Sequence, residues 1–306
     1  MILVTTYQDP DLDGTACSVA EAEFLVEQGE EAVAGVFGTL HREAIACIQT
    51  FGLDWPMNAM EVIDQVDEIV LTDTSDTHGL SPLIDPNKVT VVIDHRKDSN
   101  PDDFPNADRQ IELVGSAATL VTEHFINAGL IPSRTSAYLL AGAIVSNTVN
   151  FQNMVTHPRD RAAYLWLKRQ EQLPENFVDV LFASKSTFTD ENLFEEIEHD
   201  SAWFQMGEKK IGIAQLEIVH AQEFLEDFTA LVFPVLQTLQ TQKALDHGFL
   251  SIVDIDRGRT IFLTNDNQMK MVLTQTLDVE WVGDQAIKNG IIMRKEIVPL
   301  LREIIV

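Results

Sequence analysis

Three aspartates at alternate positions, Asp9, Asp11 and Asp13, stand in a loop directly behind the first apolar run of the chain, residues 2–4. Alternate residues of an extended loop point the same way, so Asp11 and Asp13 could each hold one of two adjacent hard cations. Gly14 lets the backbone turn, and from Thr15 the apolar spacing becomes helical through Ala16, Val19, Ala20, Phe24 and Leu25. On this motif alone two readings stand: a solvated acidic loop in an acid-rich chain, or a metal site. Asp254-Ile-Asp256 repeats the spacing with no cluster around it.

The elements that would position these acids are short β-branched runs, each followed by a polar loop. Residues 32–37 read as a strand and 40–51 as a helix with Ile45, Ile48 and Phe51 on one face. Residues 68–72 form a strand that runs into Asp73-Thr-Ser-Asp76, and 88–93 a strand that runs into Asp94-His95-Arg96. Strands alternating with helices predict an α/β fold with a doubly wound, mostly parallel sheet. Loops at the carboxyl ends of neighbouring parallel strands converge, which would gather Asp11, Asp13, Asp73 and His95 into one site. Residues 115–128 read as a helix that Ser116 opens, either as a plain N-cap or as part of an anion site. Residues 135–151 are apolar nearly all round, as in a buried helix. Ser146 and Asn147 interrupt it, as satisfied core groups or as site residues. His41, His78, His124 and His157 lack ligand spacing and read as surface or satisfied core residues.

Residues 174–200 lose the strand pattern and turn acidic, as in a helix-containing connection between domains. A smaller α/β segment follows, with strands at 210–216, 249–255 and 260–263, a long amphipathic helix over 220–244 and a terminal helix over 294–305. Residues 269–277, 280–282 and 290–292 complete it. The division is thus 1–187, a connection over 188–200, and 201–306. Arg294-Lys295 opens the terminal helix, where two cations oppose the helix dipole unless an anion offsets them. With 48 acids against 21 bases the net charge is −27, which argues against nucleic acid read through phosphate contacts. A small anion drawn to bound cations stays compatible with that field. No run spans a membrane, and Cys17 and Cys47, with no apolar leader, fit a reducing, cytoplasmic setting.

Taken in order, Asp11-Leu-Asp13, Gly38-Thr-Leu-His-Arg-Glu-Ala, Asp73, Asp94-His95-Arg96, Gly115-Ser-Ala-Ala-Thr119, residues 139–151, Lys210-Ile-Gly-Ile-Ala-Gln215 and Arg294-Lys295 resemble the DHH phosphoesterases. The nearest are the manganese-dependent (family II) inorganic pyrophosphatases and the related exopolyphosphatases. The resemblance covers nearly the whole chain. It implies an N-terminal DHH domain, a C-terminal domain that closes over the cleft, and a two-metal centre. Carried over position by position, Asp11 binds one metal, Asp13 the other, Asp73 bridges both, and His95 is a ligand. Arg294 and Lys295 grip phosphate oxygens, and Ser116, in the matched Gly115-Ser turn, is a candidate substrate-binding residue.

Several positions depart from the family pattern. Tyr7 stands where a ligand histidine is expected, Arg96 where the second histidine of the triplet contacts substrate, and Asn147 where an aspartate is a ligand. Ala202 aligns with an expected lysine, Met293 with a serine and Glu296 with a lysine. The first metal would keep Asp11 and Asp73, helped by Asp9, and the second Asp13, Asp73, His95 and a weaker Asn147. Arg96 keeps a cation that can bind phosphate bidentately but cannot donate a proton near neutral pH. The resemblance therefore implies a hydrolase, with one or two Mn2+ or Mg2+ ions, in which metal-activated water attacks pyrophosphate, short polyphosphate or another small phosphoester. The alternative is a weak or inactive phosphate- or nucleotide-binding member of the same family. A homodimer through the N-terminal domain is a further expectation of the resemblance.

Overall fold

The computed structural model describes residues 1–96 and 100–305. It divides into two compact units, Met1–Lys185 and Ser186–Val306. The first unit carries strands β1 (Ile2–Thr5), β2 (Ala32–Val36), β3 (Met57–Asn58), β4 (Glu68–Thr72), β5 (Val89–Asp94) and β6 (Asp108–Ile111). Its helices are α1 (Leu12–Glu27), α2 (Arg42–Phe51), α3 (Ala117–Ala128), α4 (Arg134–Asn147), α5 (Pro158–Gln170) and α6 (Phe177–Lys185). The strands lie in the order β3-β2-β1-β4-β5-β6, with parallel pairing throughout.

That order reverses direction between β1 and β4, which pair with Val4 opposite Val70 and Thr5 opposite Leu71. The loops leaving the two strands diverge there and open a crevice at their carboxyl ends. Period-two alternation sorts each strand into two faces. Leu3, Ile69, Leu71, Val89 and Val92 build one apolar layer with Phe37 and Phe104. On the opposite face Thr72 meets α1, its hydroxyl 3.2 Å from Ser18 Oγ.

Three features hold the crevice-side loops. Asp11 caps α1, its carboxylate accepting from Gly14 N–H at 3.0 Å. A side chain at Gly14 would start 2.8 Å from Thr6 Oγ1, so the close approach of helix to strand needs glycine there. Asp160, fully buried on α5, accepts from Gly115 N–H at 2.9 Å, Thr119 Oγ1 at 2.6 Å and His157 N–H at 2.6 Å.

In the second unit the sheet order is β11-β12-β10-β9-β8-β7, formed by β7 (Ser201–Met206), β8 (Lys209–Ile218), β9 (His247–Asp254), β10 (Arg259–Leu263), β11 (Trp281–Val282) and β12 (Gln285–Asn289). Only β8 and β9 pair in parallel among the described residues, and the long helix α8 (Ala221–Gln242) crosses between them. Helices α7 (Leu193–His199), α9 (Asn267–Leu277) and α10 (Arg294–Ile304) complete the unit.

The structure corrects several boundaries. The segment 188–200, expected as a helix-containing connection, does hold a helix, α7, but its Leu193 and Ile197 lie in the core of the second unit. Their apolar spacing is too brief to stand out from the surrounding acids. Strand β12 ends at Asn289, and Gly290, with a φ of 85°, forms an isolated bridge with Arg259. Helix α4 ends at Asn147, short of the expected 151, since Val149, Asn150 and Phe151 all have positive φ. None of the described helices is long and apolar enough to cross a membrane.

Replacing Asp160 by Ala would strip two buried donors, Gly115 N–H and Thr119 Oγ1, and the part-buried His157 N–H of their acceptor. Unsatisfied groups of this kind cost about 1–3 kcal/mol each, with partial relaxation, so denaturant unfolding should show a loss of about 2–4 kcal/mol. Asp160→Asn, which keeps one acceptor oxygen, should lose less.

Candidate metal centre

The loops after β1, β4, β5 and β6 deliver Asp13, Asp73, His95 and Ser116 to one place. One ligand atom from each of Asp13, Asp73 and His95 lies within 4.8 Å of the other two. His95 Nε2 is 3.3 Å from Asp73 Oδ1 and 3.7 Å from Asp13 Oδ2. The side chains of Asp13 and Asp73 are 0% and 4% exposed, and that of His95 19%.

Asp13 is the most fully bonded group in the centre. Its Oδ1 accepts from Ser116 Oγ and Ala118 N–H, both at 2.9 Å, and its Oδ2 accepts from Ala117 N–H at 2.9 Å and Asn147 Nδ2 at 2.5 Å. The first amides of α3, which suit an anion, thus receive a protein carboxylate. Ser116 is at once the N-cap of α3 and a donor to Asp13. Asn147 faces Asp13 as a donor, with its amide nitrogen.

Asp73 is built differently. Its backbone is held at φ 56°, a strained conformation for aspartate. Its buried Oδ1 makes no hydrogen bond among the described residues. His95 donates through Nδ1 to the Val114 carbonyl at 3.1 Å, an assignment that turns Nε2 toward the two carboxylates. A bare buried carboxylate oxygen, a second carboxylate and an oriented imidazole nitrogen match what a divalent cation needs, so these residues fit a metal.

Asp11 stands outside this cluster. Besides Gly14, its carboxylate takes a hydrogen bond from the Tyr7 hydroxyl, and that hydroxyl accepts from Asp11 N–H at 3.3 Å. Burial pushes the Tyr7 phenol well above its usual range, and Asp11 and Asp73 push it the same way, so it stays neutral and a poor ligand. Asp9 lies elsewhere, accepting from Thr39 N–H at 2.7 Å. Arg96 donates through Nη2 to the Asp73 carbonyl at 3.1 Å and lies 5.8 Å from the centroid of the Tyr7 ring.

The second unit holds Arg294 and Lys295 at the start of α10. Arg294 is already engaged: Nη1 donates to the Asp200 carbonyl and Nη2 to Asp200 Oδ1, each at 2.6 Å. Glu296 folds back to accept from Met293 N–H at 2.8 Å, so a carboxylate occupies the helix start where an anion would sit. Lys295 is exposed.

The sequence did not point to two further supports of the centre. Glu43 accepts from Leu12 N–H at 3.3 Å and Ser146 Oγ at 2.7 Å, joining the start of α1 to the end of α4. The Val114 carbonyl that orients His95 is main chain and leaves no trace in residue types. Glu43 lies within Gly38-Thr-Leu-His-Arg-Glu-Ala, and that motif was its one available signal.

The first unit thus sets acids and a histidine at the switch point of a parallel sheet, and a mixed-sheet unit follows it in the chain. Residues 179–304 match the DHHA2 domain model. A Listeria monocytogenes protein named as a manganese-dependent inorganic pyrophosphatase is 25% identical across 98% of this chain and 97% of its own length. A Bacillus cereus protein of the same name is 25% identical across 99% and 98%. Among solved structures, a Methanococcus jannaschii protein assigned as a family II inorganic pyrophosphatase superposes with a TM-score of 0.71 at 23% identity, covering 100% of this chain and 99% of that one. An exopolyphosphatase-related protein from Bacteroides fragilis matches with a TM-score of 0.53 at 12% identity, over 99% and 90% of the two chains. Over nearly its full length the chain is thus similar to proteins named as manganese-dependent inorganic pyrophosphatases.

Without a cation the centre retains protons. Burial and the neighbouring Asp13 push Asp73 up to about 8, only partly offset by His95. Burial pulls His95 down, but Asp73 and Asp13 outweigh it and raise the imidazole to about 10. Both folded values exceed the unfolded ones, so the folded metal-free chain binds more protons and loses stability as pH rises from the usual carboxylate range through these values. Thermal unfolding of the chelated protein should show a falling Tm between about pH 6 and pH 9. Mn2+ should raise Tm more at the higher pH and release protons on binding, which calorimetry in buffers of different ionisation enthalpy would detect. Asn147→Asp would place a carboxylate where an amide now neutralises Asp13. It should lower the Tm of the metal-free protein and tighten Mn2+ binding by at least about tenfold, read by the same titration.

Proposed function

We propose that the protein is a divalent-metal-dependent phosphohydrolase acting on a small phosphoanhydride or phosphoester, with pyrophosphate and short polyphosphate the first candidates. The observation that carries this reading is the buried, unbonded Asp73 Oδ1 facing His95 Nε2 beside Asp13. The full-length relatives named as manganese-dependent pyrophosphatases support Mn2+ as the ion, with Mg2+ as the alternative.

Asp13, Asp73 and His95 would hold the ion. A divalent ion bound there supplies Lewis acidity toward phosphoryl oxygens and the positive charge that draws an anion into an acidic cleft. The chain's own residues do the rest. The α3 amides, Ser116 and Asn147 hold the Asp13 carboxylate in place. The Val114 carbonyl fixes the His95 ring. Arg96, charged at all working pH values, offers the guanidinium nearest the centre for a phosphate oxygen. Arg294 and Lys295 are substrate contacts only as far as the resemblance implies, and Ser116 acts through Asp13. The acidic surface favours a small substrate over nucleic acid. A cytoplasmic homodimer accords with the two free buried cysteines and with the resemblance.

A second reading, a phosphate-binding protein with little turnover, is favoured by one feature. In the segment expected to grip phosphate, Asp200 engages Arg294 and Glu296 occupies the start of α10.

Phosphate release from pyrophosphate, tripolyphosphate and bis-p-nitrophenyl phosphate with Mn2+, Mg2+ or Co2+ separates the two readings. Turnover of at least one substrate is expected, falling more than about 100-fold in Asp73→Asn, as removal of an essential electrostatic group does. Binding of phosphate without any turnover would leave the second reading. Full turnover in Asp73→Asn would remove the site assignment.

A further inference from the structure

The acids at the strand ends do not share one environment. Asp13 and Asp73 face His95, whereas Asp11 turns to the cap of α1 and to the Tyr7 hydroxyl. On that side the positive charge is already supplied by protein. Arg96 lies against the Tyr7 ring, 5.8 Å from its centroid, donates to the Asp73 carbonyl at 3.1 Å, and keeps Nε 3.8 Å from Asp94 Oδ1. Asp94 is itself fully buried and takes the main-chain N–H of His95 at 2.7 Å and of Arg96 at 3.3 Å, which pins the start of that loop. The guanidinium is therefore braced by a ring face, a carbonyl and a carboxylate. It carries a permanent charge and is easily held on an aromatic face.

Given an ion at Asp13, Asp73 and His95, we propose that the centre takes one divalent ion only, and that the Tyr7–Arg96 pair stands in for a second cation on the Asp11 side of the loop. Tyr7 fills the space beside Asp11 with a ring and satisfies its carboxylate by a neutral hydrogen bond. Arg96 supplies the charge that Asp73 and Asp94 require, and it repels a further dication brought close to it. The two residues touch, so they act as one substitution. Neither an imidazole at position 7 nor the loss of Arg96 alone would recreate an open, cation-poor pocket as fully as both changes together.

Counting ions tests this without relying on turnover. The full-length protein is stripped with chelator, reloaded with excess Mn2+ and passed through a desalting column, and bound manganese is measured by elemental analysis and by electron paramagnetic resonance. Wild type is expected to carry one Mn2+ per chain with the six-line signal of an isolated ion. Two ions per chain, or the spectrum of a spin-coupled pair, would overturn the proposal. No bound ion at all would instead remove the metal reading beneath it. The double variant Tyr7→His/Arg96→His is expected to carry two ions, and a count that stays at one would also overturn the proposal. If that variant does not fold, Arg96→Gln replaces it, since it removes the charge and keeps a donor for the Asp73 carbonyl. It is expected to take up a second ion at millimolar Mn2+ where wild type does not, and equal counts would again overturn the proposal.

Discussion

The carboxylate of Asp13 is the interaction on which the first unit depends. It lies in the first turn of α1, receives two main-chain N–H groups and the cap hydroxyl from the start of α3, and takes the amide of Asn147 from the end of α4. Three helices far apart in the chain are thereby tied at one fully buried charge. Removing such a charge from water costs several kcal/mol, and only a full set of donors recovers it. Charge-assisted bonds of about 1.5–3 kcal/mol each and the α3 dipole provide that set. A ligand held this firmly is preorganised, and the less saturated groups around it, Asp73 and His95, define what the centre can bind.

The surroundings of that charge are set by short-range contacts between polar groups. Asn147 brings a neutral donor to Asp13. Tyr7 and Arg96 bring a ring and a fixed cation to Asp11 and Asp73. In the second unit Arg294 is bound by Asp200 and the α10 start by Glu296. In each case a group that could face an ion or anion is met by a partner from the protein itself. The centre that remains is smaller than the acid count of the loops implies.

Much of the fold was legible from local patterns. The strands of the first sheet are short β-branched runs, and parallel pairing follows from their alternation with helices. Period and composition act within a few residues, so β1, β4, β5 and α3 were locatable, as was the meeting of Asp13, Asp73 and His95 at neighbouring strand ends. The two-residue β3 and the polar β6 were not, and α7 was legible only as a helix somewhere in the acidic connection, because their apolar signal is too brief to separate from the loops around it. Their burial is conferred by partners distant in sequence, as when Leu193 and Ile197 join the core built by α8 and β8.

By itself the sequence determined which residue types stand at the ends of which strands, and hence a metal-seeking acidic centre in a two-unit α/β chain. It also set Tyr7, Arg96 and Asn147 at positions where the resemblance implies groups of different charge. Tertiary structure decided what those replacements do: that Asn147 donates to Asp13, that Arg96 rests on Tyr7 and the Asp73 carbonyl, and that Asp11 leaves the cluster for its helix cap. Residue type sets what a group can donate, accept or carry. Only the approach of segments from opposite ends of a unit sets which of its partners it meets, and at a buried site a single hydrogen bond is enough to turn a ligand into a brace.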